Sequence, residues 1–567
     1  MDKLSNFTAF LFLLLMFLLM LGTSLGDSLT MDEIIHVRAG YSYVKDKSLH
    51  LNPAHPPLIK ILAGIGLQFL QIKGNTPFAH GVDLDQVVLL SRLPCMCISL
   101  LCGFCLYIWV AKLCNRGFAL LALVLFVFEP TVLAHSQLVT TDMGVTTFIF
   151  IAVYSFSQLL SGYSTGNYFL FIFSSSAAIL TKYSGLILLP YFAVIWCCHL
   201  LLHRFFAGEN RGDVFKFDFQ KMSLALLIVF FIIVSIYLVF MWNYPLQKQL
   251  QDTKAFTIYP IYKKEKLLKF FHYPFARYPG HYLFGMLSTL GHITQGHAHT
   301  QYLMGKYSPS GWWYYFIIAF MVKTPVSLIL FLAVALGFFL QKQLWHTLYS
   351  LKNFFTFSAE QRFVSISLQN SIIFILLFGL LSLNSRLNIG IRHILPIYPF
   401  LILFTCYNLF RLCESIKGWQ YKIYIMSLII GILFYSYGTI MSYPHYLSYF
   451  NEFIGSANGH HFLSDSNLDW GQDLKRLSIW VKQKGINKIN LLHPGRIDLR
   501  YYFGNRYKLC FQPEDIPQKG YFVAGLHYLL RNVHLTAKGQ YPLAFKRFLL
   551  QKPHARIGYS ILIFKMD

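Results

Sequence analysis

The sequence predicts an α-helical polytopic membrane protein with a small α/β domain outside the membrane at its C-terminal end. Three observations lead there. Of 567 residues, 55% are hydrophobic and only 13% charged, where a soluble globular chain carries about a quarter charged residues. Apolar windows recur along the first 441 residues, each near the roughly 17–25 residues that a membrane helix needs. Beyond them the pattern changes to turn residues, one amphipathic stretch and short apolar runs.

The apolar windows fall at about 7–25, 87–111, 117–135, 143–161, 167–181, 184–202, 222–242, 312–340, 368–385, 392–411 and 421–441, about eleven spans. The short pair 167–181 and 184–202 also reads as one broken unit. Lys112 and Arg116 in one short loop, and Arg411, Lys417 and Lys422 in another, orient the bundle by the positive-inside rule. The N-terminus is then cytoplasmic, and the loops 26–86 and 243–311 face outward with 442–567. The second long loop is itself basic (Lys248, Lys254, Lys263, Lys264, Lys266, Lys269), but long loops count less in that rule. Segment 1–26 also has the form of a signal peptide with Lys3 as its basic end. Cleavage there leaves the orientation unchanged.

Region 442–567 reads as a helix over Asp473–Lys484 followed by strands in Lys488–Leu492, Gly520–Ala524 and Ile557–Phe564. The organisation is therefore a membrane domain, 1–441, and an extracytoplasmic C-terminal domain, 442–567. Most of the ten cysteines lie in apolar spans, where they act as small hydrophobes. The net charge of +24 is dispersed over loops, which suits orientation and anionic lipid and disfavours nucleic acid as a partner.

Chemistry-bearing residues gather at the ends of spans. Thr30-Met31-Asp32-Glu33-Ile34-Ile35-His36 follows the first window, and Leu51-Asn52-Pro53-Ala54-His55-Pro56-Pro57-Leu58-Ile59-Lys60 comes soon after. Ionisable groups beside lipid are costly and usually functional. In a helix Asp32 and His36 share a face, and Pro56-Pro57 suits a helix start beside His55 and Lys60. Leu138-Val139-Thr140-Thr141-Asp142-Met143-Gly144, with His135 upstream, reads either as a helix cap with Asp142 in the first turn or as a second acidic site. Lys182 and Lys323 lie in or near spans and call for an anionic partner, a lipid phosphate or Glu129. Lys323 has a second reading, as a cap on carbonyls freed at Pro325. Asn388-Ile389-Gly390-Ile391-Arg392-His393-Ile394-Leu395-Pro396 puts an arginine at a span start, where it can fork onto a phosphate. His281, His292, His297 and His299 crowd the second long loop without zinc spacing. Asp465-Ser466-Asn467-Leu468-Asp469-Trp470-Gly471-Gln472-Asp473 is acidic but lacks the calcium-loop spacing. It reads as a helix cap or as an acceptor contact.

The DE-x-x-H stretch, the NPxHPPLxK stretch, the AH…LVTTD stretch and the GxRHxLPxYP stretch completed by Tyr398-Pro399 resemble, in that order, the polyprenyl-phosphate-sugar-dependent glycosyltransferases. These include protein O-mannosyltransferases and lipid A aminoarabinose transferases, of glycosyltransferase family 39 type. The resemblance runs from Asp32 to about Gly504. It implies the GT-C fold and inverting transfer of one sugar to an extracytoplasmic acceptor, whether protein, lipid A or surface glycan. It implies Asp32 as the base with Glu33 as the fallback, and Asp142 as a second acid. Lys60 and Arg392, with His55, Lys182, His393 and Lys323, would bind donor phosphate and substrate. The tail resembles bacterial members, which points to a bacterial inner membrane. No metal ligands are assigned, and a divalent ion stays open as a cofactor. The alternatives are a transporter or flippase and an oligosaccharide ligase on a related scaffold.

Overall fold

The computed structural model describes residues 2–70, 72, 74, 76–206, 211–256, 264–295, 301–343, 358–493, 499–537 and 543–567. Among these, seven helices are long and apolar enough to cross a membrane: Lys3–Gly26, Leu84–Leu113, Thr141–Ser161, Phe219–Phe240, Glu360–Leu383, Ile391–Ser415 and Trp419–Met441. Two further windows are bent pairs. Arg116–Val127 and Pro130–Ser136 turn through 65°, and Tyr315–Lys323 and Val326–Lys342 through 115°. Both bends fall at a proline, Pro130 and Pro325, which lacks an N–H and pushes the preceding residue out of the helical region.

The remaining two expected spans are helices of lesser length. Thr165–Thr181 has 17 residues, and Tyr183–His199 follows it after an extended Lys182 (φ −151°, ψ 142°). Among the described residues the eleven windows thus give seven spanning helices, two bent pairs and two shorter apolar helices. The chain is a multi-pass membrane protein.

Between the first two spans the chain forms two helices, Met31–Asp46 and Leu58–Leu67. They pack backbone to backbone through Gly40 and Gly64. A Cβ on Gly40 would overlap the Lys60 carbonyl, and one on Gly64 the Gly40 carbonyl. That close approach fixes where Lys60 lies relative to Asp32.

Two strands, β1 (Gln301–Leu303) and β2 (Lys306–Ser308), form a short hairpin. The tail adds β3 (Ile489–Leu492), β4 (Tyr507–Leu509), β5 (Gly520–Gly525), β6 (Ala555–Ile557) and β7 (Ile561–Met566). They form one sheet in the order β4-β3-β5-β7-β6. β3 runs parallel to β4 and β5, and β7 antiparallel to β5 and β6. The run expected as one strand over Ile557–Phe564 is a turn at Gly558 (φ 55°) between two strands. Helix Leu474–Gln483 buries Leu474, Leu477 and Val481. The same apolar core takes in Leu29, Val37, Ile59 and Val139 with Leu491, Val523 and Ile563. Apolar burial, worth about 25 cal/mol per Å², therefore ties the tail to the loop that carries Asp32.

Candidate functional site

The helix Met31–Asp46 begins with two acids in its first turn, where the helix dipole favours negative charge. Their side chains go opposite ways. Glu33 is fully buried. It accepts from Thr30 N–H (2.8 Å), Val139 N–H (2.9 Å), Arg92 Nε (2.8 Å) and Arg92 Nη2 (2.7 Å). With its lone pairs spent this way, Glu33 is a brace between the first loop, the second span and the 138–140 turn. The residue expected as the fallback base is thus a fully buried and fully engaged carboxylate.

Asp32 keeps 35% of its side chain exposed and meets Arg392 Nη1 at 3.0 Å. The same Nη1 lies 3.4 Å from Asp142, whose other oxygen is 2.6 Å from Lys182 Nζ. Asp142 is buried at the start of Thr141–Ser161, and Lys182 stands where Thr165–Thr181 ends. The four groups form one chain of charge, Asp32–Arg392–Asp142–Lys182, drawn from four separate parts of the sequence. Lys182 thus finds its anion in Asp142 and not in Glu129, which caps Val132 N–H at 2.7 Å.

Three imidazoles surround this chain. His55, His135 and His393 each interact electrostatically with both Asp142 and Lys182. Each has a buried ring nitrogen without a hydrogen-bond partner: Nδ1 of His55, Nδ1 of His135 and Nε2 of His393. Arg392 Nε is likewise unpartnered. Burial, the neighbouring His36 and the Lys60 and Lys182 charges hold His55 well below the usual histidine range, so it is neutral. His36 packs edge-on to it at 5.2 Å between centroids and bonds the Val139 carbonyl through Nδ1 (2.8 Å). A neutral imidazole has one donor and one acceptor nitrogen, the complement of a hydroxyl.

Two expected phosphate ligands are engaged elsewhere. Lys60 is fully buried and donates to Tyr43 Oη (3.1 Å), the Asn52 carbonyl (2.8 Å) and the His55 carbonyl (2.7 Å). Two of these bonds hold the NPxH turn and the third ties it to the helix Met31–Asp46. Burial also drives its ammonium strongly toward the neutral form. Lys323 donates to the carbonyls of Leu447 (2.8 Å) and Asn467 (2.7 Å) and lies over the Phe450 ring. It is a carbonyl cap, though the carbonyls belong to the tail and not to its own broken span.

The histidine crowding of the second long loop resolves differently. His281 is buried and bonds the Leu49 carbonyl at 3.1 Å. His297 and His299 lie outside the described residues. Among the described residues no three His, Cys, Asp or Glu side chains are gathered to hold a metal ion.

The acidic tail segment proves to be part of the site's frame. Trp470 accepts Met31 N–H at its carbonyl (3.0 Å), and Gln472 accepts Ser28 N–H (2.8 Å). On the far side Asn467 Oδ1 accepts Ile391 N–H (2.9 Å), and the Ser466 hydroxyl donates to the Ile389 carbonyl (2.8 Å). Asp473 binds Arg476 (2.7 Å) and Ser560 (2.6 Å), and Arg476 also meets Asp27. Arg92 is a residue that sequence reading missed, and Asn467 and Trp470 stand in the segment read as a helix cap or an acceptor contact, without a role of their own. Arg92 had a signal, a lone arginine inside an apolar window.

Residues 9–252 match the family model for dolichyl-phosphate-mannose-protein mannosyltransferase. No curated protein sequence matches the chain. Among solved structures it is similar to ArnT from Cupriavidus metallidurans bound to undecaprenyl phosphate, at 12% identity over 97% of this chain and 96% of that one, TM-score 0.47. It is also similar to the Archaeoglobus fulgidus oligosaccharyltransferase, at 11% identity over 94% and 72%, TM-score 0.48. A third likeness is to the Pmt1-Pmt2 protein O-mannosyltransferase complex of S. cerevisiae bound to the sugar donor, at 18% identity over 42% and 34%, TM-score 0.36. The family match spans the part of the chain that carries Asp32, His55, Lys60, Asp142 and Lys182.

Proposed function

We propose that the protein transfers a single sugar, with inversion, from a polyprenyl-phosphate-linked donor to a hydroxyl on an acceptor outside the cytoplasm. The observation that carries this reading is the Asp32–Arg392–Asp142–Lys182 chain, with its one acid open to solvent and its two cations beside unpartnered donors. The acceptor oxygen attacks the anomeric carbon, the bond from that carbon to the phosphate oxygen breaks, and the acceptor proton passes to Asp32. The leaving group departs as polyprenyl phosphate. Its negative charge grows in the transition state, so preorganised cations lower the barrier more than they tighten ground-state binding. Lys182, with one contact on Asp142, and Arg392, with a spare Nε, supply them. Asp142 holds both cations in place. The neutral His55 imidazole suits a sugar hydroxyl.

In this reading Lys60 positions the His55 turn, and Glu33 and Lys323 position the frame. The body 1–441 lies in a bacterial inner membrane with the N-terminus cytoplasmic, and 442–567 is periplasmic. A transporter would need Lys323 as a pathway charge, and it is buried on two carbonyls of the tail.

The test is donor turnover by the purified protein in lipid nanodiscs. A panel of polyprenyl-phosphate sugars is supplied with a periplasmic extract as acceptor. Asp32→Asn should lower turnover by about 10²–10⁴-fold. Failure of the wild type to turn over or bind any donor would overturn the proposal.

A further inference from the structure

Segment 464–474 lies between the two backbone stretches that carry the Asp32–Arg392 pair. Met31, one residue before Asp32, is bonded to the Trp470 carbonyl. Ile391, one residue before Arg392, is bonded to the Asn467 side chain. The approach is close enough that a Cβ on Gly390 would overlap the Ser466 hydroxyl. The Trp470 side chain adds a contact of another kind. It is buried, and its ring centroid lies 4.2 Å from Arg392 Cζ.

A guanidinium is planar and stacks on an aromatic face, and tryptophan offers the strongest such face. Arg392 has to reach two carboxylates with one nitrogen, at 3.0 and 3.4 Å. A small rotation of its plane would lose one of them. The indole covers one face of that plane and limits the rotation.

We propose that Trp470 is a positioning residue for transfer, acting through Arg392. The tail then completes the reactive centre instead of merely capping it. This proposal rests on the role given to Arg392 above.

The experiment measures kcat and donor KM for the full-length protein in nanodiscs, with the polyprenyl-phosphate sugar that the wild type uses. It compares Trp470→Leu, Trp470→Phe, Arg392→Lys and the two double variants, each with its melting temperature. Loss of the cation–π contact should lower kcat about 10-fold in Trp470→Leu, with a smaller change in KM. Trp470→Phe should lose about 3-fold, because phenylalanine keeps a weaker face. In the Arg392→Lys background each substitution should cost less than about 2-fold more, since coupled residues are not additive. Should the leucine variant fail to fold, the phenylalanine pair carries the same comparison.

Unchanged kcat in Trp470→Leu, or losses that multiply in full in the Arg392→Lys background, would overturn the proposal. Equal losses in the leucine and phenylalanine variants would do the same. A wild type that turns over no donor would instead remove the transferase reading itself.

Discussion

Asp32 and Glu33 are adjacent, identical in charge, and expected to give opposite phenotypes. The Glu33 carboxylate accepts four hydrogen bonds and is fully buried, as is Arg92. Glu33→Ala leaves the guanidinium with the Ser28 carbonyl (3.0 Å), the Ser24 hydroxyl (3.3 Å) and the more distant Asp27 carboxylate (3.8 Å). Breaking a buried pair by removing one partner costs about 3–5 kcal/mol. The two orphaned backbone N–H groups add about 1 kcal/mol or more each. The total is on the order of 5 kcal/mol or more, comparable to the whole margin of a folded domain. Asp32→Asn loses one partly exposed pair, worth less than about 1 kcal/mol. Thermal unfolding in nanodiscs, with rates normalised to the monodisperse fraction, separates the two. Glu33→Ala should lose folded protein, and Glu33→Gln, which keeps the shape, should melt lower but keep turnover within about 10-fold of wild type per folded molecule. Asp32→Asn should melt like the wild type and lose turnover. A Glu33→Gln protein that melts normally and is inactive, beside an active Asp32→Asn, would refute the assignment.

Lys182→Met should lower kcat by about 10²–10³-fold, as expected for loss of one transition-state cation, and Lys182→Arg should recover part of it; equal rates in the methionine variant and wild type would count against the phosphate role. Lys323→Met leaves the buried carbonyls of Leu447 and Asn467 without a donor and should cost about 2–4 kcal/mol, read as a lower melting temperature; an unchanged melt would show that the cap is dispensable. Burial pushes Asp469 up to about 7, so the folded state holds a proton that the unfolded state releases above its ordinary 3.8. Stability from this group is therefore full at low pH and declines as pH rises toward 7. Asp469→Asn removes that penalty, and its melting advantage over wild type should grow between pH 5 and pH 8 by about 1–3 kcal/mol; a pH-independent difference would contradict the sign.

The membrane architecture was legible because it rests on local pattern. Lys3–Gly26 and Trp419–Met441 announce themselves through length and apolarity alone. The bends were half legible: Pro130 and Pro325 mark where a helix must break, but the angles, 65° and 115°, come from packing. The strand pair around Gly558 was read as one run because a left-handed glycine gives no signal that periodicity can weigh against continuous apolar residues.

The site was legible as a set of residues and not as a set of roles. Motif order located Asp32, Asp142, Lys182 and Arg392, which the fold brings into one chain of contacts. The resemblance ranks Asp32 above Glu33 and Lys60 above Lys182, but the partners that distinguish the members of each pair are set by the fold. Glu33 meets Arg92, 59 residues away, and Lys60 meets carbonyls of its own turn. In both cases the fully buried member of a pair of like residues is spent on structure and the other keeps part of its side chain exposed. That follows from the cost of burying charge: a fully buried ion must use its hydrogen-bonding capacity on the protein, and a group so engaged has none for a substrate. Trp470 was the hardest to see, since its contacts reach Met31 near the other end of the chain and Arg392 at the start of a span, and an aromatic residue in a turn carries no charge to mark it. The frame of a reactive centre is built from such long-range neutral contacts, and they become visible only when the backbone stretches they join are placed side by side.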